Sequence, residues 1–306
     1  MRHHGDKFVQ TIKSGESNGS FKRGEWEHEI KGDVPNLRKA HGTPLSPLLN
    51  KKLKRTLKPI FETHVHRTSL PVCKNGSRIE VALDDGEIRV ARQSAPISEL
   101  ELELKRGKVA DVFKLAREIG KVTPATLLLK SKSERGYDLI EDTPAKTVRA
   151  EKIRLRRGMS TMNAFRTIGS SVLRHIAANE AAVRRSESEG VHQMRVGLRR
   201  LRAAISLFSN LLGDQETERL KAELKWLTGK LGPARDLDVY VRNEIDPLPG
   251  TTPAGRGMKE LAGALTSRRD AAFGKASAAV ESRRYRSLLL DTLQWLETGD
   301  WTKHAR

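Results

Sequence analysis

With a single cysteine, Cys73, in 306 residues, the chain can hold no internal disulfide. No His, Asp or Asn pattern beside Cys73 suggests a catalytic thiol, so it reads as an ordinary free cysteine in a reducing cytoplasm. Aromatic residues are also scarce, at 5%. This argues against a stacking surface for single-stranded nucleic acid, where rings interleave with Arg and Lys. No apolar run approaches the length of a membrane span, and the opening MRHHGDKFVQ lacks the apolar stretch of a signal peptide. The expectation is a cytoplasmic protein with no membrane partner. Acidic residues are outnumbered 38 to 57 by Lys and Arg, for a net charge of +19. Such a surface attracts anions: nucleic acid, acidic lipid or phosphate polymers.

The length accommodates two domains, each with its own core. Up to about Tyr137 short alternating runs dominate: DKFVQTIK, EWEHEIKG, FETHVHRTSL, SRIEVALDDGEIRVARQ and ISELELELK, separated by Gly, Asn, Asp and Pro. They predict an antiparallel sheet or barrel, with helical interruptions at Pro44 to Leu57 and Val109 to Ile119. From Gly158 onward the period becomes helical, over Thr161 to Ala178, Val191 to Leu212, Glu216 to Leu231, Gly257 to Ala279 and Arg283 to Glu297. The polar run EDTPAKTVRAEKIRLRRG reads as a linker, which puts the boundary near Arg149, with domains at 1–149 and 150–306. The fold class is α+β multidomain: an incomplete antiparallel β tunnel or barrel followed by an all-α helical bundle.

In the strand ISELELELK, Glu99, Glu101, Glu103 and Lys105 alternate with Leu100, Leu102 and Leu104, so the charges share one face and the leucines need a core on the other. Carboxylates stacked at period two repel unless water or a cation lies among them, and Mg²⁺ or Mn²⁺ prefers that all-oxygen environment. The alternation recurs at Glu25, Glu27, Glu29 and Lys31, and more weakly at Glu80 and Asp84. A solvated outer face produces the same pattern. Here, though, the acidic strands coexist with basic ones, carrying Lys7 and Lys13 or His64 and His66. A lining of both signs suits a metal and a polyphosphate together, with the cations neutralising phosphate charge during transfer of a terminal phosphoryl group to water.

The ordered segments RHHGDKFVQTIK, EWEHEI, FETHVHRT, SRIEVALDDGEI, ELELELK and LLLKSKSERGY, over residues 2 to 137, resemble the CYTH family of triphosphate tunnel metalloenzymes. Within it they resemble the bacterial members with a helical domain attached, which implies metal-dependent hydrolysis of inorganic triphosphate. Carried over, Arg2, Lys13, Lys130, Lys132 and Arg135 would contact phosphate, and Glu25, Glu27, Glu101 and Glu103 would hold Mg²⁺ or Mn²⁺ or water. The family's opening Glu-x-Glu-x-Lys strand has no counterpart, so no catalytic residue is assigned. His64 and His66 stand where related sequences often carry Arg.

In VHQMRVGLRRLRAAISLFSNLL, Met194, Leu198, Leu201, Ile205, Phe208 and Leu212 form an apolar stripe at helical spacing. His192, Arg195, Arg199 and Arg202 form a second, basic stripe on the same helix. The next helix adds Lys221 and Lys225, then is expected to break at Gly232 and Pro233 before Arg235, Asp236 and Asp238. Many moderate charge contacts of this kind suit a flexible polyanion, because guanidinium groups grip phosphate oxygens bidentately. VHQMRVGLRRLRAAI, ELKWLTGKLGPARDLDVY and SRRYRSLLLDTLQWLE, within residues 158 to 301, resemble the CHAD family, the conserved-histidine α-helical domain. That resemblance implies polyphosphate binding through His192, Arg195, Arg199, Arg202, Lys225 and Arg235. It covers the first of the family's two bundles, so truncation at both ends is expected. The sequence leaves two alternatives to a triphosphatase open: a non-catalytic polyphosphate-binding protein, and nonspecific nucleic-acid binding, in which nucleic acid competes through charge alone.

Overall fold

The computed structural model describes residues 1–13, 24–50, 56–141, 147–246 and 255–303. It divides into two compact units, Met1–Ile60 and Phe61–Arg306.

In the first unit β1 (Arg2–His4), β2 (Lys7–Lys13) and β3 (Glu25–Ile30) form an antiparallel sheet in that order. Pairing of Thr11 with Glu27 and of Lys13 with Glu25 sets the register, so alternation collects the charged side chains on one face. The other face buries Gln10 and Ile30. The Gln10 amide is not stranded there, since it donates to the Asn36 carbonyl at 3.2 Å and accepts from the Asn36 N–H at 2.7 Å. The helix expected at Pro44 to Leu57 is reduced to a 3-10 turn at Ser46–Leu48, with Pro47 inside it; residues 51–55 of that run lie outside the described residues.

The second unit opens with a meander of long strands, β4 (Glu62–Lys74), β5 (Ser77–Val90) and β6 (Gln93–Arg106). The two-residue turn between β4 and β5 is Asn75–Gly76, with φ +50° and +77°, the left-handed pair that such hairpins require. Pro71 is accommodated because β4 is an edge strand. The two sheets are separate, and among the described residues neither closes into a barrel. The leucine face of β6 is only partly covered: Leu70, Leu83 and Leu100, on the same side of the three strands, are 60%, 50% and 37% exposed.

α1 (Val109–Val122) and α2 (Lys132–Ile140) follow the sheet. The run LLLKSKSERGY, read as strand-like, becomes helical at Lys132. Ser131 and Glu134 explain this by forming a capping box in which each side chain satisfies the other residue's backbone N–H. The bundle comprises α3 (Thr161–Ala178), α4 (Glu180–Arg184), α5 (Ser188–Leu207), α6 (Gln215–Tyr240), α7 (Gly255–Glu281) and α8 (Arg283–Thr298). Ser160, Asp214 and Ser282 cap the starts of α3, α6 and α8. The break expected at Gly232 and Pro233 does not occur, and α6 runs through both. A Cβ at Gly232 would lie 2.9 Å from Arg195 Nη1, the mobile end of the α5 guanidinium side chain. The bundle buries several of the scarce aromatics: Phe165 packs edge-on to Trp295 and Trp301, with ring centroids 5.4 and 5.1 Å away.

Of the expected linker, residues 142–146 lie outside the described residues, and Val148 is held to the bundle by its main chain. Its N–H donates to Asn179 Oδ1 at 3.0 Å, while its carbonyl accepts from Asn179 Nδ2 and His175 Nε2, each at 2.9 Å. Burial lowers the His175 pKa, which keeps the ring neutral. Arg117 of α1 also reaches the bundle, donating to Asp291 at 2.7 Å and Gln294 at 2.5 Å on α8. No helix among the described residues is long and apolar enough to cross a membrane.

Candidate functional site

Two charged regions stand out in the second unit. The first is built on β4–β6. Register pairs Arg67 with Asp84 and Asp84 with Glu99, and Glu101 follows Glu99 at the strand period. These residues share one sheet face, and α2 brings Lys132 and Arg135 onto it. Asp84 is fully buried, which requires partners for both its oxygens. Arg67 supplies a fork, Nε to Oδ1 and Nη2 to Oδ2, both at 2.6 Å, and also reaches Glu101 at 2.6 Å. Lys132 Nζ lies among all three carboxylates: 2.8 Å from Asp84, 2.7 Å from Glu101, and in close contact with Glu99. Arg135 closes the group on Glu99 at 2.7 Å.

These contacts set the protonation states. The bonds from Arg67 hold the Asp84 carboxyl below the usual carboxylate range. Burial pushes Glu101 up, but Lys132 and Arg67 more than offset it and the net shift is downward. Lys132 is raised although burial opposes its charge, because Asp84, Glu101 and Glu99 surround it. Asp84, Glu99 and Glu101 each place one oxygen within 4.8 Å of the others, an all-oxygen donor set that fits a hard divalent cation.

The sequence-predicted residues distribute unevenly. Glu101, Lys132 and Arg135 belong to this cluster. Glu103 instead pairs with Lys105 at 2.7 Å, and Lys130 with Asp138 at 2.7 Å. Arg2, Lys13, Glu25 and Glu27 meet on the face of the first sheet, where Arg2 binds Glu27 at 2.8 Å and Lys13 binds Glu25 at 3.1 Å. Two members of the cluster, Arg67 and Glu99, lie outside the set of site residues that the resemblance implies. The phase of β4 turns Arg67 toward Asp84, whereas the neighbours that drew attention, His64 and His66, alternate to the opposite face.

The second region is the stripe on α5. Arg199 and Arg202 are exposed, as is Lys225 on α6, and none of them forms an ion pair with a described residue. Arg195 is half-buried, with Asp236 at 3.6 Å. Arg235 is held at 3.3 Å from Ser188 Oγ and 3.4 Å from Asp238 Oδ2. Among the described residues the stripe is therefore a row of cations on one helix, with an acidic partner only toward its N-terminal end.

A strand-built cluster of mixed charge followed by a basic helical bundle defines a two-domain class. The family model of the CYTH domain matches residues 1–137, and that of the CHAD domain matches residues 167–306. The chain thus carries a CYTH domain followed by a CHAD domain. An inorganic triphosphatase of Haemophilus influenzae is 42% identical over 82 residues, covering 27% of this chain and 23% of that protein. An uncharacterised protein of Mycobacterium tuberculosis is 32% identical over 119 residues, 37% of this chain and 23% of that protein. The chain thus spans about a quarter of the length of these curated relatives. The crystal structure of the CHAD domain from the plant Ricinus communis aligns with TM-score 0.47 and 30% identity over 53% of each chain.

Proposed function

We propose that the chain is an inorganic triphosphatase-like CYTH domain, dependent on Mg²⁺ or Mn²⁺, joined to a CHAD domain that binds polyphosphate. The observation that carries the reading is the convergence of Asp84, Glu99 and Glu101 with Arg67, Lys132 and Arg135 on one sheet face. Asp84, Glu99 and Glu101 would hold the divalent cation, which would supply neutralisation of phosphoryl charge. With such a cation on the acids, Arg67, Lys132 and Arg135 would be free to grip phosphate oxygens and align the chain, with no covalent nucleophile needed. The two roles meet near Arg149, in the stretch 138–166 that lies between the two family matches. The helical role rests on Arg199, Arg202 and Lys225, cations without an acidic partner among the described residues.

Binding without turnover is a second reading, favoured by the same cluster. Its three acids are already matched by three cations, so a metal must displace Lys132 before it can act. The deciding measurement is phosphate release from inorganic triphosphate by the purified chain with Mg²⁺ or Mn²⁺, beside polyphosphate binding on the same preparation. Metal-dependent release supports the triphosphatase. Binding with no release in either metal leaves the second reading, and duplex DNA outcompeting polyphosphate at physiological salt overturns the substrate class.

A further inference from the structure

The β4–β6 sheet carries a second group of cations at its hairpin end. There a cavity of about 500 Å³ is lined by the Asn75–Gly76 turn together with Cys73, Lys74, Arg78, Lys105 and Arg106. It lies six residues along β5 from Asp84, or roughly 20 Å at the rise of a strand. No carboxylate lines it. Glu118 pairs with Lys74, and Lys105 has Glu103 at 2.7 Å and Glu80 at 3.6 Å, but none of these acids belongs to the wall. Arg78 and Arg106 have no side-chain partner at all among the described residues.

Sheet register brings these two arginines together. They stand directly opposite each other on β5 and β6, where like charges are destabilising. The pairing then skips Lys105, a β-bulge that sets Lys105 and Arg106 of β6 against the single residue Arg78 of β5. Bulges re-aim side chains and recur beside binding sites, and this one gathers three cations at one wall. The scaffold behind them is fastened to the start of α1. Ser77 is 2% exposed; its Oγ donates to Asp111 Oδ2 at 2.7 Å and accepts from the Lys108 N–H at 2.9 Å, while Asn75 Nδ2 donates to Asp111 Oδ1 at 3.2 Å. Gly107 takes φ +109°, and a Cβ there would lie 2.2 Å from Ser77 Oγ, so only glycine permits this approach.

We infer that this cavity binds a short inorganic phosphate chain such as pyrophosphate, with Arg78 and Arg106 each gripping its oxygens. Two unpaired guanidinium groups held opposite each other are neutralised best by one ligand of at least two charges, and their forks match phosphate oxygens. The volume has room for more than one phosphate unit. The lining offers no aromatic ring and no aliphatic wall, so nothing there stacks a base or holds a lipid tail. The site stands apart from the Asp84 cluster and needs no metal, so it does not rest on the triphosphatase reading.

The chain's single thiol, Cys73, lies in the cavity wall and reports its occupancy. The test is alkylation of Cys73 in the full chain by iodoacetamide, an uncharged reagent, in EDTA with pyrophosphate titrated at constant ionic strength. Protection should be saturable, slowing alkylation about tenfold when pyrophosphate stands at about ten times its Kd. Arg78→Ala/Arg106→Ala, at two exposed positions, should raise the concentration for half protection at least about tenfold. Arg199→Ala/Arg202→Ala should leave it unchanged. Alkylation indifferent to pyrophosphate overturns the site, and so does undiminished protection of the Arg78/Arg106 variant. Loss of protection in the Arg199/Arg202 variant places the anion on the helix and overturns it too, while equal protection by citrate overturns the assignment to phosphate. None of these outcomes depends on phosphate release from triphosphate, so failure here and failure of the triphosphatase reading are separate results.

Discussion

The two charged regions handle opposite charge in different ways. In the sheet cluster each of the three cations has an acid: Arg67 and Lys132 share Asp84 and Glu101, and Arg135 takes Glu99. On the helix Arg199 and Arg202 stand without acids, at a spacing that costs a few tenths of a kcal/mol per pair. A compensated cluster is stable when empty and must exchange partners to bind, so it selects for a ligand that brings its own cation. An uncompensated stripe needs no rearrangement, and its affinity is mainly counterion release, hence steeply dependent on salt.

The contrast can be broken most forcefully at the stripe. Arg195→Ala/Arg199→Ala/Arg202→Ala together should weaken polyphosphate binding by roughly a hundredfold at low salt and flatten the slope of log K against log salt by about three. Titrations at several salt concentrations check both numbers, and an unchanged slope would mean that the polymer lies elsewhere. Phosphate release from triphosphate should be untouched.

At the sheet the expected loss is of stability and metal affinity. Asp84→Asn leaves Arg67 and Lys132 partly unpaired, at a cost of about 2–3 kcal/mol, moderated because the Arg67 side chain is 42% exposed. Urea unfolding should register that cost, and calorimetric titration with Mn²⁺ should lose its binding signal. Glu103→Gln, whose carboxylate lies outside the cluster, should alter neither. Equal effects of the two substitutions would overturn the assignment of the metal ligands.

Acid sharpens the comparison. Asp84 and Glu101 are held below their ordinary values. Their stabilisation is therefore fully present above the unfolded carboxylate range of about 4 and is lost as pH falls through their depressed folded values. Thermal melting of the second unit should stay flat from neutrality down to about pH 5 and decline only below about pH 4. The polyphosphate stripe contains no carboxylate, so its contribution to binding should not follow that decline.

The smallest effect is expected where the sheet and bundle halves of the second unit meet. Arg117→Ala removes the bonds to Asp291 and Gln294, but Asp291 keeps Arg219 at 2.9 Å. A loss of about 1 kcal/mol is expected, read as a lowered melting temperature. Two resolved transitions in place of one would show that this contact couples the halves.

Part of the cluster was legible. Asn75–Gly76 is a strong short hairpin signal, and centring the turn on it pairs Arg67 with Asp84. That register puts Arg67, rather than His64 or His66, on the acidic face. The second pairing, Asp84 with Glu99, depends on a turn at Ala91 and Arg92, where Ala91 takes φ +49° without a Gly or Asn to announce it. Pro233 misled for the converse reason: a residue that usually ends a helix is tolerated when the packing of α6 against its neighbours outweighs one missing hydrogen bond.

By itself the sequence determined what depends on local period. The alternation of Glu99, Glu101 and Glu103 defines a strand face, and the three- and four-residue spacing of His192, Arg195, Arg199 and Arg202 defines a helix stripe. Only the tertiary structure decided which charges meet. Lys132 reaches Glu101 across 31 residues because Ser131 starts a helix over the sheet, and Ser188 reaches Asp238 across 50 because α5 and α6 pack side by side. Backbone geometry is written in neighbouring residues, whereas a site assembled from distant segments is set by register and packing, which no short stretch of sequence contains.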